Sequence, residues 1–301
     1  MDASCPTRKG SSPPPSGQST LSTPPTAKTA SWIDSLPRAS QPRTVVLGIP
    51  GQKPASNYGS GTVEIKEVIG ILERAGICSC VVGISALKYY GAWRVRHEWE
   101  ICVPTHLLDK AARIFSSAPH NQIYESSPLP EPRFRSLFHT FPRFKMRGVW
   151  LHFIFVPAED AHVDCIPDNI EYSQMDIPYP NLPVFAQSLL DMNDAVALAD
   201  LIDGMDLSGS WGSENLNLTG TTDIAWTMRK NQKIRESALP TEDPCFLGLP
   251  DRPQRRRELW QALVSTKENR MGVELPKGYY YTRFYPYNQG DPRLTPDRKF
   301  C

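Results

Sequence analysis

Two glutamates one residue apart, Glu98 and Glu100, lie in an alternating stretch from His97 to Val103. Strand side chains repeat every two residues, so this pair would share one side and Trp99, Ile101 and Val103 the other. Just upstream, the apolar run Cys80-Val81-Val82 stops at Gly83-Ile84-Ser85, and Ala86 to Tyr90 has helix-compatible spacing that ends at Gly91. Two carboxylates facing a glycine–serine turn suit magnesium, a hard cation that takes carboxylate, water and phosphate oxygens. Two such ions about 4 Å apart stabilise the attacking and leaving oxygens of a phosphoryl displacement. A glycine turn at a helix N-terminus lets backbone N–H groups approach a phosphate, and the Ser85 hydroxyl could add a donor. Lys88, Arg94 and Arg96 offer compensating charge, as does the basic run Arg133, Arg135, Arg143, Lys145 and Arg147. The alternation is equally that of a strand bearing two solvated glutamates, and Ser85 equally that of a helix cap.

Other chemistries find less support. His152, His162 and Asp164 contain metal-ligating types, but a histidine on an aromatic-rich strand is ordinarily a satisfied interior residue. The chain has no GxSxG, and spacing assigns no nucleophile–base–acid triad. Its seven cysteines, at 5, 78, 80, 102, 165, 245 and 301, are odd in number and lack a CxxC pair. They read as reduced thiols in a cytoplasmic protein, acting in strands as small apolar residues. A net charge of +1 points to neither nucleic acid nor a membrane as partner. No window is apolar for long enough to span a bilayer.

The elements that must position the acids follow from periodicity. Residues 1–57 are rich in Ser, Thr and Pro, with ten of the 29 prolines before residue 55, and predict a disordered leader. Within it, Thr44 to Ile49 reads as a short strand or docking segment. Val63, Ile65, Val68, Ile69, Ile71 and Leu72 predict a helix over 62–75, with Thr62 as N-cap and Gly76 as stop. A helix is expected over 107–117, strands over 134–141, 148–156 and 161–166, and two helices over 180–207 with Asn193 capping the second. A weak helix is expected near 222–236 and a last one opening at Asp251-Arg252-Pro253. The tyrosine-rich stretch from 275 reads as an extended tail. The domain reading is 1–57 leader, 58–207 core and 208–301 helical and extended addition.

The order helix, strand, Gly-x-Ser turn, short helix and strand with acids at i and i+2 resembles the nucleotidyltransferase superfamily over about residues 62–166. With LPVFAQSLLD and LADLIDGMDL, the chain also resembles a group of fungal proteins built on this core. The resemblance implies an α/β fold, a mixed sheet flanked by helices. It implies Gly83 and Ser85 for nucleotide phosphates, Glu98 and Glu100 as magnesium ligands, and Asp164 as third ligand or base. The activity implied is transfer of a nucleoside monophosphate from NTP to an acceptor. The sequence departs from the family in carrying Glu where paired Asp is usual. Each carboxylate moves by roughly 1.5 Å, and misplacement near 1 Å costs about a hundredfold in rate. That departure favours a second reading, an inactive relative serving as a binding, interaction or accessory protein.

Overall fold

The computed structural model describes residues 51–92, 94–129, 131–132, 135–238, 248–270 and 291–294. In chain order the elements are β1 (Lys53–Pro54), α1 (Ser56–Gly59), α2 (Thr62–Arg74), β2 (Cys80–Val82), α3 (Gly83–Tyr89), β3 (Trp99–Val103), α4 (Leu108–Ser116), β4 (Tyr124–Ser126), β5 (Arg143–Met146), β6 (Val149–Trp150) and β7 (His152–Pro157). There follow α5 (Ala158–Ala161), β8 (Ile170–Tyr172), β9 (Pro178–Pro180), α6 (Leu182–Asp191), α7 (Ala195–Gly204), α8 (Gly209–Asn215), α9 (Ile224–Ser237) and α10 (Arg256–Ser265). This is the mixed α/β arrangement that the nucleotidyltransferase-like reading implies.

The central sheet has strand order β2-β3-β7-β5-β4. Only β3 and β7 run parallel; the other neighbours are antiparallel. One face is apolar because alternate residues of every strand agree on it. Val81, Trp99, Ile101, Val103, Phe144, Phe153 and Phe155 pack there under the buried stripes of α2 and α4. Phe115 of α4 centres an aromatic cluster, 5.0 Å from Tyr124 and 5.3 Å from both Phe153 and Phe155. The opposite face holds a smaller cluster of Cys80, Val82, Cys102, Val163 and Cys165, against which Val184 of α6 packs.

Several expectations move. Residues 51–57 are not part of a leader: Lys53 and Pro54 pair with Val149 and Trp150, and Ser56–Gly59 is helical. Gly61, at φ 68°, precedes α2 in place of a Thr62 cap, since the chain enters that helix through a left-handed residue. The aromatic stretch near 134–141 forms no strand among its described residues; Phe138–Thr140 is a 3₁₀ turn ahead of Pro142, which lacks a ladder donor. The segment 161–166 is likewise irregular, because α5 ends in left-handed His162 at φ 53°. Asp194, not Asn193, caps α7, accepting from Ala197 N–H. The last long helix begins at Arg256, beyond Pro253. Its Trp260 is fully buried against Gly212 of α8. Thr44–Ile49 and the tyrosines at 279–287 lie outside the described residues.

The turn after α3 touches the end of α7 backbone to backbone. Gly91 sits at φ 99°, and a β-carbon there would lie 2.4 Å from the Gly204 carbonyl oxygen. A side chain at this position meets both left-handed strain and an immovable neighbour. Gly91→Ala is expected to lower the unfolding free energy by at least about 2 kcal/mol, read from urea denaturation, with an unchanged m-value.

Candidate functional site

β3 positions both glutamates. It lies between β2 and β7, with Glu100 opposite Val82 on one side and Ile154 on the other. Arg143 stands opposite Ile154 across the next ladder. Directly opposed residues share a face, so Val82, Glu100, Ile154 and Arg143 form one row. The neighbouring row carries His152, Lys145 and Glu125. Glu98, just before the first residue of β3, falls on the same face. The acids therefore stand together on the face opposite the main core, and basic residues from β5 stand there with them.

Those basic residues are used within the protein. Arg143 Nε donates to Glu98 Oε2 at 2.6 Å, and its Nη1 donates to the Ser127 carbonyl at 2.7 Å. Glu98 is only 7% exposed. Lys145 and Arg147 both pair with Glu125, at 3.0 and 3.1 Å. Arg94 is ion-paired with buried Asp200. Lys88 donates to the Arg94 carbonyl at 3.0 Å. Arg96 stacks on Trp99, 3.6 Å from the ring centroid, and donates to the Ser60 carbonyl at 2.5 Å. Burial pulls the Arg96 guanidinium down to about 10.

The glycine turn is occupied from within. Gly83 has φ 59°, and a β-carbon there would lie 2.0 Å from Glu100 Oε2. Glu100 Oε1 also accepts from Ile84 N–H at 3.4 Å. The Glu100 carboxylate thus lies over the opening of α3, where a phosphate would approach. Ser85 is buried and accepts from Arg96 Nη1 at 3.4 Å.

Asp164 stands elsewhere. Val163 and Cys165 turn inward onto Cys102, and Asp164 between them is exposed. Cys102 lies two residues beyond Glu100, so Asp164 is displaced toward the carboxyl end of β3. It lines a cleft of 650 Å³ with Thr105, His106, His162, Trp226 and Arg229. The cleft opens where β3 and β7 end, at Pro104 and Ala158. His162 Nε2 lies 3.1 Å from Asp223 Oδ2, a contact that joins the cleft wall to the start of α9. Asp223 also caps α9, and these contacts hold its carboxyl below the usual range against the opposing effect of burial. Among the described residues, three ligating atoms within 4.8 Å of one another occur only at Cys80, Cys102 and Cys165. Glu98, Glu100 and Asp164 do not form such a group.

Reading along the sequence missed the Glu98 partner, the His162–Asp223 contact and the thiol group. The parity of Cys80 with Val82, and of Cys102 with Glu100, was a usable signal for two of the three thiols. Nothing local announced Cys165.

No family model matches the chain, and no curated protein matches it. Among solved structures the chain is similar to "Terminal uridylyl transferase 4 from Trypanosoma brucei with bound UTP and UMP", at 11% identity and a TM-score of 0.25. The match covers 68% of this chain and spans 62% of that one. A likeness this distant transfers no residue roles, and the site is read from its own geometry. No described helix is long and apolar enough to cross a membrane.

The buried pair predicts an asymmetric response. Arg143→Ala removes the guanidinium that donates to the buried Glu98 carboxylate and is expected to cost about 3–5 kcal/mol in urea denaturation. The double change Glu98→Leu with Arg143→Met removes both charges and should recover most of that loss. His152 supplies a pH signature. Burial, reinforced by the positive charge of Arg143 and Lys145, lowers its imidazole from 6.5 to about 4. The unfolded chain binds this proton near pH 6.5 and the folded chain near pH 4. The unfolded state therefore holds more protons between those values, and the His152 contribution to stability grows as pH rises through the window. His152→Gln should flatten that part of the stability–pH profile while changing the slope above about pH 7 little.

Proposed function

We propose that this chain is a nucleotidyltransferase-like α/β module that binds and does not transfer. One observation carries the reading: the Glu100 carboxylate lies over Gly83 and accepts the Ile84 N–H. An anion belonging to the protein fills the place where a nucleotide phosphate would dock. Magnesium held by Glu98, Glu100 and Asp164 would need Glu98 released from Arg143, Glu100 lifted from the turn and Asp164 brought around Cys102. Each movement works against a contact already present. Binding falls instead to the opposite end of the same strands. Ligands of α/β sheets sit outside the carboxyl ends of parallel strands, and the 650 Å³ cleft opens at the ends of β3 and β7. Its wall combines His106, His162 and Arg229 with the indole of Trp226, a surface for a compact ligand carrying polar groups.

The test is turnover with each of the four NTPs, with and without Mg²⁺, followed as pyrophosphate release and as nucleotide-dependent mass gain on the protein or added acceptors. The expected result is no Mg²⁺-dependent product, and indistinguishable nucleotide titrations for wild type and Glu100→Gln. Pyrophosphate release by wild type that Glu100→Gln abolishes would establish metal-dependent transfer and overturn the binding reading.

A further inference from the structure

We propose that Cys80, Cys102 and Cys165 form a zinc site, with three thiolates from the protein and a fourth position open toward the cleft beside Asp164. The three come from separate parts of the chain. Cys80 of β2 and Cys102 of β3 stand directly opposite each other on one ladder, so their side chains share a face. Cys165 descends on that face from the irregular segment after α5. Its sulfur lies 3.2 Å from Cys102 Sγ and 3.6 Å from Cys80 Sγ. Zinc–sulfur bonds of about 2.3 Å in a tetrahedral array separate sulfurs by roughly 3.8 Å. The two Cys165 contacts, at 3.2 and 3.6 Å, lie within about 0.6 Å of that spacing, and all three sulfurs lie within 4.8 Å of one another.

Two details favour a metal over a merely apolar cluster. Cys80 and Cys102 are fully buried and Cys165 is 6% exposed, so the group is closed on all sides but one. That side is the cleft, whose wall includes Cys165, so water or a ligand in the cleft can supply the fourth donor. Soft thiolates select zinc and copper(I) over hard cations. Zinc(II) with three thiolates leaves a net charge of −1 in this apolar pocket; copper(I) would leave −2, which is harder to bury. On binding, the thiol protons leave to solvent and the sulfur lone pairs form the metal bonds, so affinity rises with pH. Cys78, half-exposed two residues before Cys80, stands outside the three-sulfur group. The proposal stands or falls separately from the question of nucleotide transfer.

The test is metal content of the full chain, purified reduced, without chelator and from zinc-supplemented medium. Roughly one zinc per chain is expected, falling below about a tenth in Cys80→Ser and in Cys102→Ser, and unchanged in Cys78→Ser. Cobalt(II) added to metal-free wild type should give thiolate-to-cobalt charge-transfer bands, a readout on the native chain that does not depend on a variant folding. A chelator should lower the Tm of wild type but not of Cys102→Ser. Absence of zinc together with absence of the cobalt bands would sink the site. Bands retained in Cys102→Ser, zinc lost in Cys78→Ser, or a Cys102–Cys165 disulfide in the freshly reduced protein would each overturn the assignment.

Discussion

Burial of β3 on both faces is the constraint from which the rest of the site follows. The strand runs between β2 and β7, and Ile101, Cys102 and Val103 have no exposed surface. Any charged group placed on such a strand must meet a counter-charge or a hydrogen-bond donor, because an isolated buried carboxylate is far too costly. Glu98 meets Arg143 across two ladders, and Glu100 meets the Ile84 amide of α3. The polar rows continue through His152, Lys145 and Glu125 to the sheet edge, so positive and negative groups alternate across a partly enclosed surface. The arrangement is a solution to desolvation before it is anything else. A catalytic metal would have to compete with partners that folding has already supplied.

The sheet is polarised along its strands as well as across its faces. At the amino end of β3 are charges that neutralise one another. Midway are thiols and valines. At the carboxyl end the chain leaves β3 and β7 in parallel and diverges, opening the cleft. The connection from β3 to the parallel β7 crosses over through α4, β4 and β5. Polar Thr105, His106, His162 and Arg229 line the gap beside apolar Ile166 and Trp226. Along one strand, an ion-paired end and an accessible end are thus separated, with Cys102 between them.

How much of this was legible in the sequence depends on the range of the information. The helix over Thr62–Arg74 and the strand Cys80–Val82 are local patterns read within a residue, while the short helix expected from Ala86 begins three residues earlier, at Gly83. That Glu98 and Glu100 share a face also follows from period two alone. That Arg143 faces them does not, since it needs the register of β5 on β7 and the parallel placing of β7 beside β3, contacts about 45 residues apart in sequence. Asp164 shows the converse failure. His162-Val163-Asp164 alternates like a strand, but left-handed His162 breaks the extended path, and the inward anchors become Val163 and Cys165. The Ser-, Thr- and Pro-rich composition of residues 1–57 suggested a leader to residue 57, while Pro54 beside Lys53 pairs with β6 at an edge, where its missing donor is tolerated.

The glutamate-for-aspartate difference takes on a definite meaning in this geometry. An aspartate at position 100 would hold its carboxylate about 1.5 Å closer to the strand, one carbon–carbon bond short of the present reach. At that length the oxygens would fall short of the Gly83 turn. The extra methylene instead carries them across β2 to the opening of α3, where Gly83 has no β-carbon to stop them and the Ile84 amide offers a proton. Glycine and glutamate are therefore a matched pair: the one supplies the gap and the other fills it. The turn that reads in the sequence as a seat for phosphate is, in the folded chain, the seat of the residue expected to hold the metal.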